Sequence, residues 1–421
     1  MWYNVPQWLV PLSNPFAMVF PMTTVTLNMF LTTALAVVVL YIGAALKKRF
    51  RVLQTFCIPA PVIGGLLFSL VSCILHVAGV LEFAMDETLK NVCMVMFFTS
   101  VGFQANLKVL RSGGLSLLFF LGCVCVLIAL QNLVAVGLSG VLDVSPLVGM
   151  STGSIAMTGG HGTAGAFGPL LEKHGLEGGT TLCTAAATFG LVAGSLMGGP
   201  VGRRLIKVHG LKPREEDAEV LSEESILIED EEKHRRSVKG YAPAAYQLVI
   251  AMGLGTIVTY GIEQAGMSVP VYIGPMLVAA VMRNVGELSG KFKIYMGEIN
   301  DVGGICLGLF LGIAMIGLKL WQLADLALPL MILLAAQTVL MFAFAYFAIY
   351  NLMGRDYDSA VLTSGACGFG MGATPNAMAN MQAVTERYGA SVKAFLLVPI
   401  VGSMFADFVN SLIISLFLNI V

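Results

Sequence analysis

The sequence reads Thr158-Gly-Gly-His-Gly-Thr163 in its first half and Gly368-Phe-Gly-Met-Gly-Ala-Thr-Pro-Asn376 in its second. Both stretches lie inside otherwise apolar sequence, and each is followed by a similar short segment, Glu172-Lys-His-Gly175 and Glu386-Arg-Tyr-Gly389. Irregular glycine-rich backbone is costly at membrane depth unless it is buried in protein or lines a watery cavity. A matched pair in the two halves of a chain is typical of the binding site of a secondary transporter.

Composition places the chain in a lipid bilayer. Its 421 residues are 57% hydrophobic and 12% charged, with a mean hydropathy of +0.83, whereas a soluble domain carries about 25% charged residues. The first residues have no basic region and no small-residue cleavage site, so a signal peptide is not expected. Residues 1–22, rich in Trp, Tyr and Pro, are interpreted as an N-terminal interfacial extension.

The hydrophobic segments form two sets of five. A membrane-spanning helix needs about 20 apolar residues, and a strongly charged stretch at 207–240, interpreted as a cytoplasmic linker, separates the two sets. The predicted fold is therefore an all-α polytopic membrane protein with five-span repeats at 23–206 and 241–421. The predicted spans are 23–46, 56–81, 89–107, 113–141, 180–206, 243–263, 268–289, 299–319, 322–350 and 392–418.

The glycine-rich stretches, at 147–172 and 358–386, fall between the fourth and fifth spans of each half. Each is predicted to be a re-entrant hairpin loop; the alternative is two more full spans. With both termini periplasmic, every Lys and Arg except Lys90, Lys173 and Lys319 falls at an inner helix end or inner loop. This bias favours ten crossings with an inverted second repeat, whose hairpin tip can meet the first tip near the midplane.

An anionic substrate suits such tips, because glycine-rich backbone exposes N–H groups and helix N-termini carry partial positive charge. His161 could contact a carboxylate or remain a neutral residue bonded to backbone. Arg387 could pair with a carboxylate or serve a topological or salt-bridge role beside Glu386. The predicted substrate-binding residues are Ser154, Thr158, Gly159, Gly160, His161, Gly162, Thr163, Gly370, Met371, Gly372, Ala373, Thr374, Pro375, Asn376 and Arg387.

Asp407 is an acid near the middle of the last predicted span, where a lone carboxylate is costly and marks a functional site by default. Asn410 lies three residues further on, hence on the same helical face. The two could bind Na⁺ through oxygen ligands, receive a substrate ammonium group, or form an interhelical hydrogen-bonded pair. Further polar residues that could complete a sodium site are Gln131, Asn132 and Asn106.

Other functional classes lack their motifs. The sequence has no nucleophile elbow, no Walker A loop and no zinc signature, which argues against an enzyme and against an ATP-driven pump. Neither an organic cofactor nor a nucleic-acid partner is expected. Glycines 190, 194 and 198, and glycines 308 and 312, recur every four residues and are predicted to pack helices closely. A proton- or sodium-coupled carrier of another small carboxylate, or a channel, remains an alternative.

The two loops, with Asn380-Met-Gln-Ala-Val-Thr-Glu-Arg-Tyr-Gly389 and Ile58-Pro-Ala-Pro-Val-Ile-Gly-Gly65, resemble the bacterial sodium/glutamate symporter family over about residues 24–418. The resemblance implies sodium-coupled uptake of L-glutamate across the bacterial inner membrane. It also implies inverted five-span repeats with re-entrant loops, a homodimer and elevator-like movement. By motif position it assigns substrate binding to 158–163 and 370–376.

Overall fold

The structure is a computed structural model that describes residues 23–55, 58–107, 114–213, 238–266, 269–290 and 292–420. The predicted extension at 1–22, and most of the predicted linker at 207–240, lie outside the described residues. The described part is helical apart from two short strands, in agreement with an all-α membrane protein as the broad class.

The strands form a parallel pair, β1 (Thr23–Leu27) with β2 (Leu81–Met85), in the register Thr23↔Leu81 to Leu27↔Met85. The prediction that the first span begins at 23 is therefore wrong by six residues, since the first helix begins at Met29. Asn28 fixes that start, because its side chain accepts a hydrogen bond of 3.0 Å from the Leu31 N–H. All four residues at 23–26 are β-branched, which favours a strand over a helix.

The described residues of the first half form eight helices after β1. Their bounds are α1 (Met29–Arg49), α2 (Arg51–Thr55), α3 (Ala60–Val77), α4 (Thr88–Gln104), α5 (Gly114–Val141), α6 (Pro146–Thr152), α7 (Gly160–Lys173) and α8 (Gly179–His209). The second half begins with α9 (Val238–Gln264), α10 (Ile273–Ser289) and α11 (Met296–Ile316), and a 3₁₀ segment at Leu320–Leu326 leads to α12 (Ala327–Leu352). The chain ends with α13 (Tyr357–Gly370), α14 (Thr374–Tyr388), α15 (Val392–Pro399) and α16 (Ala406–Leu418).

Seven described helices are long and apolar enough to cross a membrane, namely α1, α3, α5, α8, α9, α11 and α12. An eighth crossing is added if α15 and α16, which meet at a bend of 42°, count as one span. The remaining predicted spans correspond to α4 and α10, of 17 residues each. At about 1.5 Å per residue they fall short of a hydrocarbon core about 30 Å thick unless flanking residues contribute. Ten crossings therefore stay a prediction.

The helices pack as two groups. One contains α1, α3, α4, α9, α10 and α11, and the other contains α5 to α8 with α12 to α16. Within the second group, glycines of α8 lie against α13 and the residue that follows it. A β-carbon at Gly194 would come within 2.8 Å of the Cys367 carbonyl oxygen, and one at Gly190 within 2.4 Å of that of Met371. The predicted packing role of these glycines is confirmed.

The two glycine-rich stretches each form a pair of short helices. α13 and α14 run antiparallel, and their outer ends are fastened where the Tyr357 hydroxyl donates to the Gly389 carbonyl. Ser391 donates from its hydroxyl to Asp358 Oδ1 at 2.7 Å in the same place. α6, of 7 residues, packs on α5, while α7, of 14, packs on α8. These helices, at most 15 residues long, are too short to cross a bilayer core.

Candidate functional site

A cavity of about 270 Å³ opens where the tips of the two helix pairs meet. Its polar lining comes from the tips and from Asp407, and its apolar lining comes mainly from α4 and α11. Of the predicted substrate-binding residues, the cavity is lined by Thr158, Gly159, Gly160, His161, Gly162, Thr163, Gly372, Ala373, Thr374 and Pro375. The two loops that the sequence singled out, about 210 residues apart, thus contribute to one site.

Two helix N-termini open on this cavity. α7 begins at Gly160 and α14 at Thr374, and neither receives a side-chain hydrogen bond from its N-cap residue, Gly159 or Ala373. The first N–H groups of a helix have no partner within that helix, and the helix dipole adds partial positive charge there. Two such ends, on helices of 14 and 15 residues, give the cavity surface partial positive charge, which suits negatively charged groups.

The tips touch one another at Gly160, which has a φ of +57°. A β-carbon at this position would lie 2.6 Å from the carbonyl oxygen of Gly372. Only glycine satisfies both the left-handed backbone and the close approach of the second tip. Glycine at 160 is therefore required for the two tips to share one cavity.

Amide side chains hold the first tip from behind. Asn132 donates from Nδ2 to Ser154 Oγ at 2.8 Å and accepts from the Ser154 N–H at 2.9 Å. Asn410 donates from Nδ2 to the Ser154 carbonyl at 3.1 Å. Its Oδ1 is buried and has no hydrogen-bond partner among the described residues. Ser154, Asn132 and Asn410 therefore lie behind the cavity surface and position the loop that precedes α7.

Gln131 connects the two tips. Its Oε1 accepts from the Thr158 hydroxyl at 2.7 Å, and its Nε2 donates to the Gly370 carbonyl at 2.7 Å. Both atoms of the amide are thus engaged by protein groups. The second tip is also held by Asn376, which donates from Nδ2 to the Leu191 carbonyl at 3.0 Å and has a buried Oδ1 with no partner in the described ranges.

His161 and Asp407 are the two residues with titratable side chains among the described lining residues. His161 Nε2 lies 3.0 Å from the Thr188 hydroxyl, and that hydroxyl donates to the Thr184 carbonyl at 2.9 Å. Because the hydroxyl proton is used in this way, His161 Nε2 acts as the donor and carries a proton. His161 is therefore oriented by a side-chain hydroxyl, and not by backbone as one reading of the sequence expected.

The apolar wall consists of residues that sequence analysis missed. Phe97, Phe98 and Val101 of α4 and Leu307 and Leu311 of α11 line the cavity opposite the tips. Tyr272 stacks on Phe98 with ring centroids 3.9 Å apart, and so supports the wall from behind. No sequence signal marks these residues, since adjacent phenylalanines in an apolar helix look the same whether they face lipid, core or ligand.

Four further predicted residues also stand apart from the cavity surface. Arg387 is exposed at the far end of α14, with its guanidinium 5.7 Å from the centre of the Tyr388 ring. Asn106 is buried just past the end of α4. The residues on either side of Asn106 are held by Asn284, which donates to the Ala105 carbonyl and accepts from the Leu107 N–H. The structure therefore does not bring Arg387 or Asn106 to the site. Gly370, the last residue of α13, and Met371, which follows it, belong to the second tip but are not part of the lining.

Comparison with known proteins identifies the family of this chain. Residues 25–390 match the family model described as sodium/glutamate symporter. The sodium/glutamate symporter of Escherichia coli (strain K12) is 38% identical over 396 residues, which cover 93% of this chain and 98% of that protein. That of Haemophilus influenzae is 37% identical over 391 residues, 93% of this chain and 97% of its own. The chain belongs to the sodium/glutamate symporter family, which is a family of transporters and not of enzymes.

Proposed function

We propose that the protein is a secondary active transporter that takes up L-glutamate with Na⁺ across the bacterial inner membrane. The observation that carries this proposal is the shared cavity of about 270 Å³ onto which two helix N-termini open. Glutamate has two carboxylates, and two partly positive helix ends match them in charge. The names of the relatives and of the matching family model support the same substrate and ion.

In this proposal the N–H groups of the first turns of α7 and α14 bind the carboxylates. Thr163 and Thr374 add hydroxyl groups at the cavity surface, and His161 adds a ring held by Thr188. The Thr158 hydroxyl donates its proton to Gln131 Oε1 and so positions the first tip. The wall formed by Phe97 and Phe98 excludes water, which strengthens these polar contacts. Arg387 has no part in binding because it lies at the opposite end of α14.

Sodium is assigned to the region of Asp407 and Asn410. Asp407 lines the cavity, and one helical turn further on Asn410 presents a buried Oδ1 that lacks a partner among the described residues. Carboxylate and carbonyl oxygens suit hard cations such as Na⁺. If Asp407 instead receives the ammonium group of glutamate, its neutral variant will lose preference for glutamate over glutarate, which has no ammonium group, and will keep its sodium dependence.

The proposed mechanism is alternating access with elevator-like movement in a homodimer. Its architecture consists of two inverted five-span repeats, each with a re-entrant hairpin, with both termini periplasmic. The short helices of the two tips and the separate packing of the two helix groups support this arrangement. Uptake requires substrate and ion to stabilise one closed state together, since free movement of a half-loaded carrier would dissipate the gradient.

A proton-coupled carrier of another small carboxylate is the second candidate. It is favoured by one observation, that a histidine and an aspartate, His161 and Asp407, both line the cavity. Both side chains can exchange protons, whereas sodium binding requires only oxygen atoms. The two mechanisms differ in which gradient drives accumulation.

The test is uptake of radiolabelled L-glutamate into proteoliposomes under an imposed gradient of Na⁺, K⁺ or protons. We expect accumulation only with an inward Na⁺ gradient, and competition by unlabelled glutamate. Accumulation that follows a proton gradient without Na⁺ favours the second candidate. Linear, non-saturable flux without counterflow would show a channel and contradict both carriers.

A further inference from the structure

We propose that Gln131 is the positioning residue that couples the two tips, so that an ion bound beside the first tip raises the affinity of the second tip for substrate. The inference rests on the proposed function, in which both tips contact glutamate and Na⁺ lies near Asp407 and Asn410. It assigns Gln131 a structural linkage in place of the direct sodium ligation that the sequence suggested.

The side chain of Gln131 is fully buried in the middle of α5 and bonds to one residue from each tip. Thr158 donates to its Oε1 at 2.7 Å, and its Nε2 donates to Gly370 at 2.7 Å. Hydrogen bonds between such groups weaken quickly beyond about 3.2 Å. A displacement of either tip by more than about half an ångström therefore has to move Gln131 or break one of the two bonds.

Gln131 donates to the Gly370 carbonyl at the C-terminal end of α13, where the carbonyls have no partner within the helix. Gly370 is the last residue of α13, and the carbonyls of the last helical turn have no helical donor. The neighbouring turn closes through other groups, since Ala373 N–H donates to Gly368 at 3.2 Å. Gln131 thus satisfies the backbone at the end of α13, three residues before the N-cap of α14.

The bond to Thr158 leads back to the proposed ion. Residues 153–159 form a compact turn in which Met157 N–H donates to Gly153 at 3.0 Å and Gly159 N–H donates to Ser154 at 2.9 Å. Asn410 holds the same turn through the Ser154 carbonyl. A cation that binds Asn410 Oδ1 fixes the Asn410 side chain and, through the bond to Ser154, the turn at 153–159. The turn carries Thr158, which fixes Gln131, and Gln131 in turn fixes the Gly370 carbonyl.

Gln337 of α12 provides a matched control. It is buried beside Gln131 and donates from Nε2 to the Gln131 backbone carbonyl at 2.7 Å. It therefore shares the depth, residue type and burial of Gln131, yet it bonds to neither tip in the described structure. Replacing it tests the loss of a buried amide without cutting the connection between the tips.

The thermodynamic linkage between Na⁺ binding and glutamate binding makes the coupling measurable. If Na⁺ raises glutamate affinity by some factor, glutamate raises Na⁺ affinity by the same factor, and such factors are typically 5- to 150-fold. Removing the connection should bring this factor toward one while leaving the separate binding sites in place. A residue that only stabilised the fold would instead weaken binding equally with and without Na⁺.

The experiment measures glutamate dissociation constants by calorimetry on purified full-length protein in nanodiscs, without Na⁺ and at saturating Na⁺. For Gln131→Leu we expect the ratio of the two constants to fall at least about fivefold. Thr158→Val should lower it too, and the double variant should add little. Gln337→Leu should keep the wild-type ratio. If Gln131→Leu does not fold, Thr158→Val decides the question, because it removes only the bond to the first tip.

An unchanged ratio in Gln131→Leu, or in Thr158→Val where Gln131→Leu does not fold, overturns the coupling role while leaving the transporter proposal intact. An equal fall in Gln337→Leu also overturns it, because the effect would then come from general loosening of α5 and α12. Wild-type protein whose glutamate affinity does not respond to Na⁺ contradicts the coupling role and the proposed function together.

Discussion

Gly160 and Gly372 bring the two tips into contact, with space at Gly160 for a hydrogen atom but not for a methyl group. A β-carbon there would approach the Gly372 carbonyl oxygen to 2.6 Å, and the φ of +57° is itself unfavourable for any side chain. Gly160 also begins α7, so a shift at this residue moves the helix N-terminus that is proposed to bind a carboxylate.

Gly160→Ala should reduce sodium-driven glutamate uptake at least about tenfold, because the left-handed conformation alone costs about 1–2 kcal/mol and the clash adds to it. Gly175→Ala separates the two causes. Gly175 has a φ of +99°, and no described atom lies within 4 Å of a β-carbon there. Comparable loss in both variants, at equal expression, would show that backbone strain and not tip contact matters.

Asp407→Asn should abolish sodium-dependent uptake, since the amide keeps the shape of the side chain but removes the negative charge from the cavity. The control is Asp143→Asn, an exposed acid in the turn after α5 with a φ of 54°, a conformation that asparagine accepts readily. The measurement is uptake as a function of Na⁺ concentration. Near-normal sodium-driven uptake by Asp407→Asn would remove this residue from the ion site.

Thr188→Val should weaken glutamate binding about fivefold, because His161 loses the hydrogen bond that orients its ring at the cavity, and such a bond contributes about 1 kcal/mol. Thr188→Ser retains the hydroxyl and should restore most of the affinity. Dissociation constants at saturating Na⁺ are the readout. Equal affinity in the valine and serine variants would mean that the orientation of His161 has no influence on the substrate.

Arg387→Ala should leave uptake within about twofold of the wild type, since exposed substitutions away from a site usually change energies by less than about 0.5 kcal/mol. The side chain is exposed at the end of α14 remote from the tip. Initial uptake rates over a range of glutamate concentrations check this. A large rise in the concentration for half-maximal uptake would return Arg387 to the binding site.

The sequence predicted the parts of the site that carry local signals. Each glycine-rich loop, and the acid at 407, can be recognised from a few adjacent residues. Both loops and Asp407 contribute to the cavity lining. The sequence also suggested Gln131, Asn132 and Asn410 as polar groups worth notice. It misjudged Arg387, because a charge close in sequence to a tip was separated from it by a helix of 15 residues.

The remainder depends on contacts between distant residues, which a single sequence does not encode legibly. Gln131 bonds to a carbonyl 239 residues away, and a glutamine in an apolar helix has the same appearance whatever its partner. Phe97 and Phe98 acquire their role only when α4 packs beside the tips. The strand β1 was hidden for a related reason, since α1, α2 and α3 separate it from its partner β2 along the chain.

The division of the cavity between the two helix groups has a consequence for how cargo would travel. Its polar lining belongs to the tips and α16, while Phe97, Phe98, Leu307 and Leu311 belong to α4 and α11. In the proposed mechanism, the group that contains the tips slides against the group that contains α4 and α11. Glutamate then keeps its hydrogen bonds to the tips and loses only its contacts with the apolar surface. An apolar surface makes no directional hydrogen bonds with the substrate, so the loaded carrier breaks none when it moves along that surface. In an empty carrier, the helix N-termini would pass the same apolar surface without hydrogen-bond partners. The free-energy cost of burying these polar groups would slow movement of the empty carrier.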